Sequence, residues 1–385
     1  MGIACALIAA APRRAGTGAG HPRDRARRPN PHDPCQDFHS RCVNLPQNSD
    51  LSTGARPVRP CLRARRGLGW TPAAKVNARS GKVDPVIVFL NGKYLDAREA
   101  RVGLFDGGYL YGDGVFETIR LYAGRPFDLD GHLGRLADNL AALDFAWRPD
   151  RAAVTEIVAE LVRRNGLSGR DARCRLTVSR GGSPDDPLPL AGLGSLPPTV
   201  SAWMEPLGPH LAAWQRDGVA VAVLREGFRR GNSPGIKSLN YLPTVLALRE
   251  ARRRGCAEAL ICDERDRLLE GATSNVFVVA AGRLATPPLS RGLLGGRTRA
   301  LVIEAAARLG LPCDETDVTV ADAAGADEVF LCGSVKEIVP VTAVDGVPVG
   351  GGAPGPVTRR LQEAYRRGVR DSLGGGAGGP AGAPA

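Results

Sequence analysis

Lys237 and Glu270 are the side chains whose types and setting invite chemistry. Lys237 sits in Gly-Ile-Lys-Ser-Leu-Asn-Tyr-Leu, and Glu270 follows 33 residues later in Leu-Glu-Gly-Ala-Thr-Ser-Asn-Val-Phe. A neutral lysine amine attacks an aldehyde to form an imine, which calls for partial burial or a nearby cation. A carboxylate ending a hairpin strand is aimed by rigid backbone. It can hold a heterocyclic nitrogen protonated, which turns the ring into an electron sink. Taken singly, each has an ordinary reading, as a solvated lysine and as a strand-end glutamate.

A second set of residues suits a phosphate. Arg135, in His-Leu-Gly-Arg-Leu, borders the apolar stripe of Leu133 and Leu136. A partly covered guanidinium there can clamp a phosphate by two parallel hydrogen bonds. Gly295-Gly296-Arg297-Thr298 opens a predicted helix, and helix N-termini offer unpaired N–H groups and positive dipole. Arg297 either adds a cation at that point or faces solvent; its N–H serves in both cases. Gly333-Ser334-Val335 reads as a turn carrying a hydroxyl.

The phrases around Lys237 and Glu270, and their separation, resemble the class IV aminotransferases, also called fold type IV. That family holds branched-chain aminotransferases, D-amino-acid transaminases and aminodeoxychorismate lyases, and the resemblance runs from about Val86 to Tyr365. It implies pyridoxal 5′-phosphate as cofactor, with Lys237 as its Schiff-base lysine and Glu270 facing the pyridine nitrogen. Arg135 matches the family's phosphate arginine, and Thr298 matches the threonine of Gly-Ile-Thr-Arg. Arg297 departs from the pattern, standing where the family has a branched apolar residue. Ser334 and Val335 match the turn that supplies a phosphate hydroxyl and N–H groups near the substrate carboxylate. Tyr241 resembles the tyrosine directed at the cofactor's phenolic oxygen, one residue nearer the lysine than in many branched-chain enzymes.

The substrate side points the same way. Tyr111-Gly-Asp-Gly-Val-Phe116 matches the pocket-lining stretch of branched-chain enzymes, with phenylalanine where D-amino-acid transaminases carry tyrosine. Those enzymes bind the substrate carboxylate with an arginine and a histidine after Thr-Arg-Gly; here Asp185 and Pro187 follow Ser179-Arg180-Gly181. Arg175 resembles the arginine of the branched-chain Tyr-Ile-Arg phrase, although Arg173 replaces its tyrosine. The resemblance therefore implies ping-pong transamination between a branched-chain amino acid and a 2-oxo acid such as 2-oxoglutarate. Lys237 would move the proton between substrate Cα and cofactor C4′. Two alternatives stay open: an aminodeoxychorismate lyase, whose relatives share Gly-Val-Phe-Glu-Thr, and a D-amino-acid transaminase. Relatives are homodimers, with Tyr111 and the Gly181–Pro198 loop as candidates for closing the other subunit's pocket.

The elements that must position these residues follow from periodicity. Val86–Leu90 and Lys93–Leu95 form a hairpin about Asn91-Gly92, and Val115–Tyr122 is a strand turned by Ala123-Gly124. Leu133, Leu136, Leu140 and Leu143 recur at helical spacing after Asp130, and a second helix spans Arg151–Arg164. Arg173–Arg180 and Val219–Leu224 are strands, and a helix runs from about Pro243 to Arg254. Two hairpins follow, Ala259–Cys262 with Arg267–Glu270 and Val276–Ala280 with Arg283–Ala285. A helix from Thr298 to Leu309 ends at Gly310, and Val329–Cys332 is a buried strand. Irregular alternation predicts an α+β fold of two domains, 83–205 and 206–371.

The net charge of +11 over 385 residues is misleading. Residues 1–82 hold 15 of the 51 Lys and Arg but 4 of the 40 Asp and Glu, so the body is neutral and has no nucleic-acid footprint. That leader lacks apolar periodicity and is expected to be disordered, as is the Gly/Ala/Pro tail, 372–385. Its apolar stretch Ile3–Ala11 is too short to span a bilayer, and an organellar transit peptide is the alternative to a cytoplasmic location. The odd count of nine cysteines, with no Cys-x-x-Cys pair, suits a reducing compartment. Only His132 and His210 lie in the body, so no histidine metal cluster is expected.

Overall fold

The computed structural model of the protein describes residues 85–185, 196–225, 228 and 235–374. The basic leader 1–82, Pro187 in the long loop and residues 375–385 lie outside the described residues.

Two sheets follow one another along the chain. The first is built from β1 (Ile87–Leu90), β2 (Lys93–Asp96), β3 (Gly114–Tyr122), β4 (Arg125–Pro126), β5 (Ala172–Ser179) and β6 (Thr199–Pro206). Its order is β2-β1-β6-β5-β3-β4, and every pairing is antiparallel. Asn91 and Gly92 both take positive φ, the turn that the Asn-Gly pair predicts. Three helices accompany this sheet: α1 (Gly107–Tyr111), α2 (Leu129–Ala142) and α3 (Arg151–Arg164). Val115, Ile119 and Leu121 of β3 pack with Leu133, Leu136 and Leu140 of α2 and with Val154, Val158 and Leu161 of α3. The period of two on the strand and of three to four on the helices thus converge on one core.

The second sheet begins after α4 (His210–Asp217). It comprises β7 (Val219–Leu224), β8 (Glu258–Cys262), β9 (Leu268–Gly271), β10 (Asn275–Ala280), β11 (Arg283–Thr286), β12 (Cys313–Glu315), β13 (Glu328–Gly333), β14 (Glu337–Val344) and β15 (Val347–Pro348). The order is β12-β11-β10-β13-β14-β7-β8-β9, with β15 on β14; β7 runs parallel to both its neighbours. Helices α5 (Leu242–Arg253), α6 (Arg297–Arg308), α7 (Val320–Ala324) and α8 (Pro356–Gly374) complete it. On the face covered by α6 and α8, Phe277 stacks on Phe330 at 5.0 Å, among Val302, Ile338, Leu361 and Tyr365.

Several elements differ from the sequence expectation, for physical reasons. Helix α2 starts at Leu129, ahead of Asp130, with Asp128 at φ 52 turning the chain into it. Strand β14 was hidden by Pro340, which cannot donate to a ladder. Here Pro340 lies one residue before the pairing with β7 begins, beside a register shift between Val341 and Ala343. Helix α8 is rich in arginine, so its apolar line of Leu361, Tyr365 and Val369 is thin; it carries regular structure through Gly374, three residues into the expected tail. No described helix is long and apolar enough to cross a membrane.

Leu136 has no solvent exposure and lies next to Arg135 on α2. Leu136→Ala is expected to lower unfolding stability by about 2–5 kcal/mol. Urea unfolding checks this; an unchanged midpoint contradicts the placement.

Candidate active site

The amine is held by backbone pairing along the start of β3. Phe116 N–H donates to Lys237 O at 3.0 Å, Leu239 N–H donates to Gly114 O at 2.9 Å, and Val115 bridges Ser238. Lys237 is half-buried in an irregular segment that pairs along β3. Its Nζ lies 4.5 Å from the centroid of the Phe116 ring, and Arg175 Cζ lies 3.5 Å from the same centroid. Register explains the second contact: Arg175 of β5 pairs with Thr118, making it a diagonal neighbour of Phe116 on one face. Tyr241 meets Phe116 edge-on at 5.4 Å, with Arg175 Cζ at 5.9 Å from its ring. Burial pulls the Arg175 pKa down and Tyr241 opposes this; an arginine stays charged regardless. Four of the selected residues, Lys237, Phe116, Arg175 and Tyr241, are thus brought together.

Glu270 ends up buried near the close of β9. Its Oε2 accepts the N–H of Leu294 at 3.2 Å. The carbonyl of Leu294 accepts Asn275 Nδ2 at 2.9 Å, and that of Gly295 accepts Arg135 Nη1 at 2.8 Å. Gly235 N–H, two residues before the lysine, donates to Gly292 O at 3.3 Å. One short stretch, 292–295, therefore ties Glu270, Arg135 and the Lys237 segment together immediately before α6. Gly296 completes it, because a Cβ at that position would collide with Asn275 Oδ1. Thr298 is buried in the first turn of α6, and Ser334 and Val335 are half-buried in the β13–β14 turn.

Two arginines behave differently from the sequence reading. Arg135 places its two-pronged grip on a carboxylate: Nε reaches Glu117 Oε1 at 2.8 Å and Nη2 reaches Oε2 at 2.7 Å. With the bond to Gly295, three of its five N–H groups are so placed, and an anion must use the remaining N–H groups of Nη1 and Nη2. Arg297 is partly exposed but adds no uncompensated cation. It bonds Asp128 at 2.7 and 3.2 Å, lying over Gly131, where any side chain would meet the guanidinium. Long-range pairing with the start of α2 decided its direction, which local sequence does not encode. Arg180 likewise grips Asp113 at 2.9 and 3.1 Å and the Leu143 carbonyl at 2.6 Å, a brace within the fold. Tyr111 stays at the surface on α1, 47 % exposed.

Sequence reasoning missed Glu117 and His132. Glu117 is fully buried on the core-facing side of β3, with Val115 and Ile119 on either side at period two. Burial alone would raise its pKa, but the Arg135 charge and the hydrogen bond and charge of His132 hold it down at about 2. His132 Nδ1 lies 2.7 Å from Glu117 Oε2, and its Nε2 lies 3.5 Å from Ser334 Oγ. The available signal was a carboxylate on an apolar strand face, which demands a partner. His132 and Arg135 stand three apart on one helix face. A separate cavity of about 680 Å³, lined by Phe89, Trp147, Arg148 and both ends of the Gly181–Pro198 loop, holds none of the candidate catalytic, cofactor-binding or substrate-binding residues.

The donor set fits a phosphorylated pyridine cofactor: an amine, a buried acid, a guanidinium, hydroxyls at Thr298 and Ser334, and an open helix start. The class IV aminotransferase family model matches residues 114–344. The chain belongs to that family, whose members are pyridoxal-phosphate-dependent, and it is an aminotransferase of that class. It is 37 % identical over 284 residues to a putative branched-chain-amino-acid aminotransferase of Methanocaldococcus jannaschii, covering 72 % of this chain and 95 % of that one. It is 35 % identical to a D-alanine aminotransferase of Bacillus licheniformis (73 % and 96 % covered) and 32 % identical to an aminodeoxychorismate lyase of Bacillus subtilis (74 % and 96 %). The branched-chain aminotransferase structure of Escherichia coli superposes with TM-score 0.68 at 31 % identity, covering 74 % and 95 %, which establishes the α+β fold of fold type IV.

The Glu117 network carries an acid dependence with a defined sign. Its folded pKa, about 2, lies below an ordinary glutamate's, roughly 4.3. Its stabilisation is therefore complete above that ordinary value and is lost as pH falls toward the folded one. Glu117→Gln is expected to cost about 3–5 kcal/mol at neutral pH and to flatten the acid limb of the melting-temperature profile. Parallel profiles for wild type and variant would contradict this.

Proposed function

We propose that the protein transaminates branched-chain amino acids, with Lys237 as the covalent anchor and proton carrier and Glu270 as the acid facing the ring nitrogen. The observation that supports this best is the 292–295 stretch, which joins Glu270, Arg135 and the Lys237 segment through single hydrogen bonds. When bound, pyridoxal phosphate supplies an electron sink for the pair left at substrate Cα. The chain's own groups do the remaining work. Glu270 holds the ring nitrogen's proton in a site screened from water. Lys237 Nζ would take the proton from Cα as general base and return it as general acid two atoms along, at the cofactor's C4′. Arg135, Thr298, Ser334 and the N–H groups of Arg297 and Thr298 hold the phosphate, the helix start adding its dipole.

Substrate class rests on the wall beside the amine. Phe116, buried beside the amine, makes that wall apolar, which suits a branched aliphatic side chain. Arg175, pressed onto the same ring, supplies a charge for the second carboxylate of an acceptor such as 2-oxoglutarate. Asp185 is exposed and anionic where D-specific relatives carry a cation, which speaks against D-amino acids. A lyase shares the Gly-Val-Phe-Glu-Thr strand and remains the second reading. Leu104, Tyr109, Leu110 and Leu242 expose large apolar side chains on α1, the segment before it and α5, where the Leu239 side chain packs near Gly108. A second copy of the chain is the occupant we assign to that surface, with Tyr111 at its edge. Five described cysteines are free thiols, in keeping with a cytoplasmic location.

Borohydride reduction of the cofactor-loaded protein is expected to label Lys237, found by peptide mapping; a label on another lysine refutes the assignment. In half-reactions followed by cofactor absorption, L-leucine and L-valine should convert the cofactor far faster than D-alanine. Pyruvate released from aminodeoxychorismate would overturn the transaminase reading in favour of the lyase.

A further inference from the structure

The turn that carries Ser334 and Val335 is held by three side chains. Arg120 Nη1 donates to the Val335 carbonyl at 2.8 Å, and Gln215 Nε2 donates to the Lys336 carbonyl at 3.0 Å. With those oxygens engaged, the N–H groups are what the turn can offer a ligand. Those of Ser334, Val335 and Lys336 have no hydrogen-bond partner among the described residues. Successive N–H groups of this kind make an anion-binding concavity, which works only while the turn keeps its shape.

The third side chain is that of Lys336 itself. It folds back past Gly333, its Cγ 3.7 Å from where a Cβ on that glycine would stand. Its ammonium pairs with Glu258 Oε2 and donates to Thr273 Oγ1 at 2.9 Å, and the threonine hydroxyl donates to the same carboxylate oxygen at 2.7 Å. Lys336 and Glu258 are both buried. A buried ion pair gives little stability over a well-packed apolar pair, so its presence here asks for another reason. Thr273 supplies one. It lies in the tight turn 271–274, closed by Gly271 N–H donating to Ser274 O at 2.7 Å, and Glu270 immediately precedes that turn. Lys336 thus ties the Ser334–Val335 turn to the loop that follows the ring-nitrogen acid. Resting on the cofactor and substrate reading above, we infer that Lys336, clamped by Glu258 and Thr273, is a positioning residue for the substrate: it holds the N–H groups of the 334–336 turn in place to receive the amino acid's carboxylate. Contacts of that kind are made before and during the reaction alike, so they govern substrate affinity rather than the saturated rate.

The test titrates the cofactor-loaded, full-length protein with two compounds, followed by cofactor absorption: L-leucine, and 3-methylbutylamine, the same skeleton without its carboxylate. Lys336→Met alone leaves the Glu258 charge buried and unpaired, which destabilises the fold. The informative variant is therefore Lys336→Met combined with Glu258→Gln, which removes both charges. In it the Kd for L-leucine is expected to rise about tenfold, with the half-reaction rate at saturation within about twofold of wild type. The Kd for 3-methylbutylamine should stay at the wild-type value. Thr273→Val keeps both charges and gives a second reading: the same selective loss for L-leucine, restored in Thr273→Ser. An unchanged Kd for L-leucine in these variants overturns the inference, as does equal weakening of both compounds, which marks a merely structural pair; either result leaves the cofactor and substrate reading standing. A wild-type protein whose cofactor does not respond to L-leucine overturns the substrate reading and the inference together.

Discussion

The arrangement depends on three successive peptide groups, those from Leu293 to Gly296, each held by a side chain. Glu270 takes the N–H of Leu294, Asn275 takes its carbonyl and Arg135 takes the next one. Backbone polar groups in a buried stretch must find partners, and here the partners are side chains suited to a ring nitrogen and a phosphate. The stretch and the acid therefore position each other. The helix that follows inherits its start from the same contacts, and Gly296 is there because nothing larger fits beside Asn275. An acid on one sheet and a guanidinium from α2 are thereby held against one backbone segment, a preorganisation that a flexible loop cannot give.

Glu117 extends that scaffold to the other sheet. It is a carboxylate without solvent contact, whose ionisation is maintained by Arg135 and His132 against the cost of burial. Through Arg135 it reaches Gly295, and through His132 it reaches the turn that carries Ser334. Both ends of this chain are residues proposed for the phosphate site, and the network ties them together.

The sequence made the hairpins, α2, α3, α5, α6 and the role-bearing phrases legible because each has a local cause: period two, period three to four, Asn-Gly, or a glycine after a helix. Phe116 and Arg175 lie together through strand register, and backbone pairing with β3 sets Lys237 beside them, with Tyr241 edge-on to Phe116. What stayed hidden depends on contacts across long separations. Arg297 is aimed by Asp128, 169 residues away, and Glu117 was passed over although its place among apolar neighbours announces a buried partner. β14 and α8 were masked by Pro340 and by a row of arginines, both tolerated only because packing overrides local preference.

We propose that Glu270 keeps protonated the ring nitrogen of the cofactor that Lys237 anchors. The most direct measurement is the ¹⁵N shift of the ring nitrogen in protein loaded with labelled pyridoxal phosphate, wild type against Glu270→Gln. A protonated ring nitrogen in wild type and an unprotonated one in the variant is the predicted result. An unprotonated nitrogen in wild type, or the same shift in both proteins, would contradict the account.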